Sequence, residues 1–182
     1  ALTTLGFDYP PRAAFFRKQL KHFLLMVREE KLNIRELTGS YAGAMGMPQF
    51  IPSSFRSYAV DFDGNGVRDF WHSSADPIGS VANYFKRHGW KNGAPVASRA
   101  AVSEQAKSLG KREMKPHKPV AEFKKAGVTP SASYADKDLA TLLKLDGSEG
   151  DEYWLALNNF YVITRYNHSP LYAMAVYQLS QA

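Results

Sequence analysis

The feature that most constrains this chain is a short acidic stretch, Asp61-Phe62-Asp63-Gly64-Asn65-Gly66-Val67-Arg68-Asp69. Side-chain oxygens fall at positions 1, 3 and 5, a glycine falls at position 6, and position 7 offers a backbone carbonyl, as in an EF-hand loop. Every donor is a hard oxygen, which favours calcium over zinc. Several protein ligands converge at once, which favours calcium over magnesium.

The loop departs from the EF-hand pattern at its twelfth position, where His72 replaces the usual glutamate. A closing carboxylate must therefore come from elsewhere, and Asp76 is the first choice, with Asp69 second. The alternative is an Asx/Gly turn that binds no metal. We predict a structural calcium site in residues 61–76, and its ligands are Asp61, Asp63, Asn65, the Val67 carbonyl and Asp76. No organic cofactor is expected.

Composition limits the class of protein. The chain has 182 residues, 45% hydrophobic and 13% aromatic, so it is long enough for one domain with a small insertion. It has no cysteine, which excludes disulfides and thiol chemistry. The net charge of +6 favours acidic partners, namely nucleic acid, anionic lipid or a carboxylate-bearing polymer. No helical pattern presents a regular basic stripe, so nucleic acid is not an expected partner.

The apolar periodicity predicts helices at both ends of the chain and a different structure between them. From 92 to 150 the helical period weakens, which indicates a small mixed, mostly β insertion between core segments 1–91 and 151–182. Strands are predicted at 139–146 and 151–159, and a short helix within 118–130. The remaining predicted helices are 10–32, 34–37, 52–59, one starting with Asp76 as its cap and closed by Gly89, 158–167, and 171–179 with Ser169 as its cap.

A turn rich in small residues, Ser40-Tyr41-Ala42-Gly43-Ala44-Met45-Gly46, precedes the acidic loop. Small residues allow backbone to approach backbone or ligand closely. The turn lacks the Gly-Lys-Ser/Thr of a phosphate loop. Gln49 follows, and its amide both donates and accepts hydrogen bonds, as binding to sugar amides and hydroxyls requires. A buried amide that holds the loop is an equal alternative.

Segments 39–71, 78–90 and 159–179 together resemble the membrane-bound lytic transglycosylase B family, with the turn, the acidic loop and Arg-Tyr-Asn-His-Ser in the same order. The resemblance implies an α+β, mainly α fold: a lysozyme-like helical core with an EF-hand-like calcium loop and a small β-rich insertion. It also implies cleavage of the β-1,4 bond between N-acetylmuramic acid (MurNAc) and N-acetylglucosamine (GlcNAc) in peptidoglycan, with a 1,6-anhydroMurNAc product.

The same resemblance implies a location and partners. The location is the periplasm, or the periplasmic face of the outer membrane, of a Gram-negative bacterium. The partners are peptidoglycan glycan strands and their stem peptides, and proteins that build or remodel the cell wall are further candidates.

The family pattern also implies site residues. Arg12 corresponds to a position near the stem peptide, where its charge suits a carboxylate. A tyrosine ring can cover a sugar's apolar face, although core packing is the simpler role for any one tyrosine. His168 is expected to form hydrogen bonds and not to bind metal. We predict that residues 40–49 and 166–172 form two walls of one cleft. The implied sugar contacts are Ser40, Gln49, Tyr84, Tyr166, Asn167 and Tyr172.

Catalysis in this family requires a glutamic acid that protonates the glycosidic oxygen. In the family it lies in a Val-Glu-Thr-x-aromatic-Gly segment upstream of the turn. No Glu-Thr pair occurs here, and Glu36, the glutamate nearest the turn, is the alternative catalytic residue within the chain. We therefore expect the catalytic glutamate upstream of residue 1, and this chain alone to be inactive or nearly so. The alternative is a calcium-stabilised glycan-binding module without catalysis.

Overall fold

The computed structural model describes all 182 residues and divides them into two compact units, Ala1–Tyr84 and Phe85–Ala182. The first unit is helical. None of the helices in the chain is long and apolar enough to cross a membrane. The helices of the first unit are α1 (Leu2–Phe7), α2 (Ala13–Glu29), which follows a 3₁₀ turn at Pro10–Arg12, α3 (Pro52–Tyr58) and most of α4 (Ala75–Arg87).

Two local predictions for this unit are wrong. Residues 34–37 form a turn and no helix, because the Asn33 side chain accepts the Arg35 N–H at 3.2 Å, an alternative to helical bonding. Asp76 does not cap α4, since the helix begins at Ala75 and the Asp76 carboxylate binds the preceding loop. The helices predicted to begin near Pro10 and at Pro52 are confirmed.

Aromatic side chains form the core of the first unit. Phe55 and Phe70 are fully buried, and their ring centroids lie 4.6 Å apart in an edge-to-face contact. Phe50 contacts Phe70 in the same way at 5.4 Å. The buried Gln19 side chain accepts the Ser53 N–H at 3.0 Å, which ties the start of α3 to α2. These contacts hold the segments that flank the glycine-rich turn.

The second unit is a five-stranded antiparallel sheet with helices. The strand order is β2-β4-β5-β1-β3, and the longest ladder joins β4 to β5 from Thr141↔Ala156 to Gly147↔Gly150. The predicted strand at 139–146 is confirmed, whereas the strand predicted at 151–159 is observed over Gly150–Ala156, because Asn158 and Asn159 already belong to the following helix. The elements are β1 (Ala97–Val102), a 3₁₀ turn at Gln105–Leu109, β2 (Lys118–Pro119), α5 (Val120–Lys125), β3 (Val128–Pro130), β4 (Leu139–Gly147), β5 (Gly150–Ala156), α6 (Asn158–Tyr166) and α7 (Pro170–Leu179).

Both faces of the sheet are covered. Leu142 and Leu155 pack in one apolar cluster with Phe123 of α5, whereas Leu143 packs in a second with Phe160 of α6. Alternate residues of a strand point to opposite faces, so burial on both faces explains why 139–146 reads as a nearly continuous apolar run. The fold is therefore α+β, and the three-part division of the chain stays a prediction.

Candidate functional site

The glycine-rich turn is held together by Ser40. Its hydroxyl oxygen accepts the N–H groups of Ala42 at 3.3 Å and Ala44 at 3.1 Å. Its backbone N–H donates to the Ala44 carbonyl at 2.8 Å. The oxygen is thus used as an acceptor inside the turn, while the O–H proton is available to donate to a ligand.

The end of the turn has two residues in the left-handed backbone region. Gly46 has φ of +62°, and a Cβ there would lie 2.6 Å from the Phe70 Cβ, so only glycine fits. Gln49 has φ of +53°, which is unfavourable for a residue with a side chain. Its amide nitrogen donates to the Gly46 carbonyl at 2.9 Å, and its side chain is exposed. Such strain points to a positional requirement at Gln49.

An open cavity of about 410 Å³ lies against this turn. Ser40 and Gln49 both line it, together with Met47 and Trp71. The structure therefore brings two of the predicted sugar contacts together. Trp71 was not among the predicted site residues, and its indole N–H is buried without a hydrogen-bond partner. The only feature of the sequence that could have indicated a role for Trp71 is its position directly after the Asp69-Phe70 pair, at the end of the acidic loop.

The other predicted residues of the first unit lie on helical segments. Tyr84 of α4 is half-buried, and its ring packs at 4.9 Å from Tyr58 and 5.9 Å from Phe50, the neighbour of Gln49. Arg12 is exposed, and its guanidinium carbon lies 4.5 Å above the Phe15 ring centre. This cation–π contact restrains the Arg12 side chain.

The predicted residues of the second unit cluster where α6 ends and α7 begins. Tyr166 and Tyr172 stack with ring centroids 6.4 Å apart and planes 3° from parallel. Asn167 and His168, between the two helices, are exposed. Ser169 caps α7 as predicted, because its hydroxyl oxygen accepts the Tyr172 N–H at 3.2 Å. Tyr166 and Tyr172 are both half-buried, and the roles of these residues stay predictions.

No glutamate in the chain has the environment of a general acid. That role needs a carboxyl group in a dry, apolar pocket, where burial favours the protonated form. All eight glutamates are exposed or half-buried. Glu36 is exposed, and its carboxylate accepts the Asn33 side-chain N–H at 2.6 Å. Of the two half-buried glutamates, Glu30 pairs with Arg68 and Glu152 pairs with Arg99.

The acidic loop folds around its own carboxylates. The Asp61 carboxylate accepts three backbone N–H groups, the shortest bond being 2.8 Å from Gly66. That Gly66 N–H contributes most to lowering the pKa of Asp61. Asn65 accepts the Val67 N–H at 2.9 Å through its side-chain oxygen. The loop thus holds its oxygens in place without a strand or helix.

Asp76 supplies the third carboxylate of a compact group. Carboxylate oxygens of Asp61, Asp63 and Asp76 lie within 4.8 Å of one another, so the group could hold a metal ion. Asp76 is fully buried, and its two oxygens accept the Phe62 and Asp69 N–H groups at 2.7 and 2.8 Å. Three carboxylates this close repel one another unless a cation or protons neutralise them.

Asp69, the second choice for the closing ligand, faces another way. Its carboxylate accepts the N–H groups of Trp71 at 2.8 Å and His72 at 3.0 Å. Although burial pushes the pKa of Asp69 upward, these bonds lower it overall. The geometry therefore favours Asp76 over Asp69 beside Asp61 and Asp63.

Comparison with known proteins defines the class. Residues 1–181 match the family described as Transglycosylase SLT domain, and the chain belongs to that family. It is 50% identical over all 182 residues to the membrane-bound lytic murein transglycosylase B of Escherichia coli, and covers 49% of that protein. The chain therefore spans about half the length of this relative.

Three solved structures are also similar. The soluble lytic transglycosylase SltB1 of Pseudomonas aeruginosa has a TM-score of 0.93 and 54% identity over 99% of this chain and 60% of its own. The Escherichia coli transglycosylase SLT35 in complex with calcium has a TM-score of 0.91 and 49% sequence identity, over 99% of this chain and 56% of its own. Pseudomonas aeruginosa SltB3, in complex with NAG-anhNAM-pentapeptide, has a TM-score of 0.85 and 37% sequence identity, over 96% of this chain and 47% of its own.

Proposed function

We propose that this chain is the substrate-binding part of a peptidoglycan lytic transglycosylase. The observation that carries the proposal is the cavity in which Ser40 and Gln49 meet, in a chain that belongs to the transglycosylase family over its whole length. The reaction is cleavage of the bond between MurNAc and GlcNAc, with the sugar's own 6-hydroxyl as the nucleophile. A relative solved with an anhydro-sugar peptide ligand supports that product.

The site residues have complementary roles in this proposal. The Ser40 hydroxyl donates a hydrogen bond to an N-acetyl or carboxyl oxygen of the substrate. The Gln49 and Asn167 amides pair with acetamido groups. Tyr84, Tyr166 and Tyr172 cover the apolar faces of sugar rings, and Arg12 binds a stem-peptide carboxylate. We expect residues 40–49 and 166–172 to line the same cleft.

The proton-transferring glutamate lies, in this proposal, outside these 182 residues. The support is the solvent-exposed or ion-paired setting of all eight glutamates, including Glu36. Loss of a positioned general acid lowers a rate by about 10²- to 10⁴-fold, so the chain alone should cleave glycan slowly or not at all.

Calcium is the proposed ion at the group of Asp61, Asp63 and Asp76, with the Asn65 side chain and the Val67 carbonyl as further ligands. The all-oxygen donor set suits calcium, and a relative solved with calcium supports the choice. The ion would link the loop to α4 through Asp76 and so steady the segment that carries Trp71.

The proposed location is the periplasm or the periplasmic face of the outer membrane. The support is the 50% identity to a membrane-bound murein transglycosylase of a Gram-negative bacterium. Glycan strands and stem peptides are the proposed partners, with cell-wall enzymes as further candidates.

Isothermal titration with a peptide-free GlcNAc–MurNAc oligosaccharide tests the proposal. We expect binding by the wild-type chain and a loss of about tenfold or more in Gln49→Gly, which removes the amide but keeps the left-handed backbone. Gln105→Gly, a substitution of an exposed glutamine in the second unit, is the control. Absence of binding by the wild-type chain would contradict the proposal.

A glycan-binding module without catalysis is the second candidate, and it is favoured because every glutamate is either solvent-exposed or ion-paired. The two proposals differ in the parent protein. If the parent protein has no Glu-Thr segment upstream, or if it binds peptidoglycan but releases no anhydro-muropeptides, the binding module is correct.

A further inference from the structure

A second cavity, of about 530 Å³, lies within the unit Phe85–Ala182. Three lysines from three separate loops line it: Lys91 before β1, Lys115 before β2, and Lys137 before β4. We call it the lysine pocket. Loops distant in the sequence meet here because β1, β4 and β5 are neighbours, with Ala97 and Thr141 both paired with Ala156.

The lysine pocket carries a net positive charge, because three lysines and one aspartate line it. Its three lysines are exposed and none is in an ion pair, whereas Lys107, Lys124 and Lys144 of the same unit each pair with a carboxylate. The only acidic residue in the lining is Asp138, whose carboxylate accepts the Ala135 N–H at 3.2 Å. Unpaired charges of one sign around a cavity attract a ligand of the opposite sign.

A buried amide fixes the loop that carries Lys91. The Asn159 side chain is 1% exposed, and its nitrogen donates to the Lys91 and Ala94 carbonyls at 2.8 and 3.0 Å. Its oxygen accepts the Lys91 N–H at 3.0 Å. Three hydrogen bonds from the Asn159 side chain, two donated and one accepted, therefore hold this wall of the pocket in shape.

The other two lysine loops are fixed as well. Thr141 donates its hydroxyl to the Glu113 carbonyl at 2.9 Å, which ties the Lys115 loop to β4. The Val120 N–H donates to the Asp138 carbonyl at 2.9 Å, next to Lys137. The walls are thus preformed, and only the flexible ends of the lysines must order when a ligand binds.

The rest of the lining is apolar, with Pro95, Pro116, Leu139 and Leu157 among its residues. A volume of about 530 Å³ falls in the usual range of roughly 300–1,000 Å³ for organic ligands. Three separate ammonium groups suit several spaced anionic groups, whereas a single phosphate is more often held by the planar fork of arginine. The ligand class is therefore an anionic molecule with short aliphatic parts.

We propose that the lysine pocket binds the carboxylates of a peptidoglycan stem peptide, with the peptide's methyl and methylene groups against the apolar lining. This inference rests on the proposed function for the choice of peptide. The pocket would add to glycan binding by recognising strands that still carry their peptides.

Fluorescence anisotropy with a labelled free stem tetrapeptide (alanine, γ-linked glutamate, diaminopimelate, alanine) and the 182-residue chain tests this inference. The variant Lys91→Gln/Lys115→Gln/Lys137→Gln should bind at least about tenfold more weakly. A matched control, Lys18→Gln/Lys21→Gln/Lys125→Gln, removes the same charge from exposed lysines outside the pocket and should bind within about twofold of wild type. Thermal melting checks that all variants fold.

Two competitors identify the ligand chemistry. A tetrapeptide with its carboxylates amidated should fail to compete, and inorganic phosphate should compete only at a much higher concentration than the free peptide. Equal binding by wild type and the pocket variant, competition by the amidated peptide, or competition by phosphate at the peptide's own concentration would each overturn the inference.

The outcome separates the two proposals. Both proposals are supported if the pocket variant binds peptide-free glycan as well as wild type does but no longer binds the peptide. Lysine-dependent peptide binding in a wild-type chain that does not bind peptide-free glycan supports the pocket and contradicts the proposed function.

Discussion

The acidic loop and the β4–β5 hairpin are held by different forces. Residues 62–67 of the loop are all exposed, and backbone N–H groups bonded to the Asp61 and Asp76 carboxylates keep it folded. The hairpin instead buries Leu142, Leu143 and Leu155 almost completely. The stability of the loop should therefore depend on bound ions, whereas that of the hairpin should depend mainly on apolar burial.

The largest effect is expected in the hairpin. Leu143→Ala should lower the free energy of unfolding by about 2–5 kcal/mol, because Leu143 is fully buried and truncation leaves a cavity. Urea denaturation with and without calcium measures it. The control is Leu139→Ala in the same strand, where the side chain is 52% exposed and the loss should be small. A calcium-dependent loss in Leu143→Ala would break the comparison.

Calcium should stabilise the loop region. A ligand that binds only the folded state at 100 times its dissociation constant raises the free energy of unfolding by about 2.7 kcal/mol. Thermal melting with calcium or magnesium at equal concentration measures this, and calcium should give the larger shift. Equal curves with calcium and with a chelator would show that the loop binds no ion.

Asp76→Asn should lower the free energy of unfolding by about 1–3 kcal/mol even without calcium. The substitution replaces one of the two buried carboxylate oxygens by an NH₂ group, which cannot accept the N–H of Phe62 or Asp69. The variant should also lose the calcium-dependent shift. Asp138→Asn, outside the acidic group, should keep that shift in full, and retention of the shift by Asp76→Asn would contradict the ligand assignment.

The smallest expected effect is the pH dependence of stability that arises from His22 of α2. His22 contacts the Arg56 guanidinium at 2.9 Å, and burial, followed by the charge of Arg56, lowers the pKa of His22. A histidine whose pKa is lower in the folded state contributes stability above its unfolded pKa near 6.5. That stability is lost as pH falls through the folded pKa.

Urea midpoints measured from pH 7.5 down to 5 should therefore decline slightly for wild type. His22→Gln should flatten this part of the profile, while His117→Gln, in an exposed loop of the second unit, should leave it unchanged. An identical decline in His22→Gln would assign the effect to other groups.

The sequence predicted features that are local along the chain. The spacing of Asp61, Asp63 and Asn65 identified the loop, and the apolar run in 139–146 identified β4. Residues 34–37 were predicted wrongly because hydrogen bonds of the Asn33 side chain to Arg35 and Glu36 outweigh weak helical periodicity.

Features made by distant segments were not predictable in the same way. The lysine pocket depends on antiparallel pairing that brings Lys91 and Lys137 to the same cavity, although 45 residues separate them in the chain. Trp71 joins Ser40 and Gln49 because the neighbouring Phe70 packs against Gly46 and its carbonyl accepts the Met47 N–H at 2.9 Å. Neither arrangement follows from periodicity, because both depend on tertiary contacts.

Cosedimentation with purified sacculi, followed by mass spectrometry of the supernatant, tests the central claim that this chain binds peptidoglycan without its general acid. The account predicts that the chain sediments with the sacculi and that anhydro-muropeptides are absent or at least about 100-fold scarcer than with a full-length relative. A chain that stays in solution, or that releases anhydro-muropeptides at the relative's rate, would contradict it.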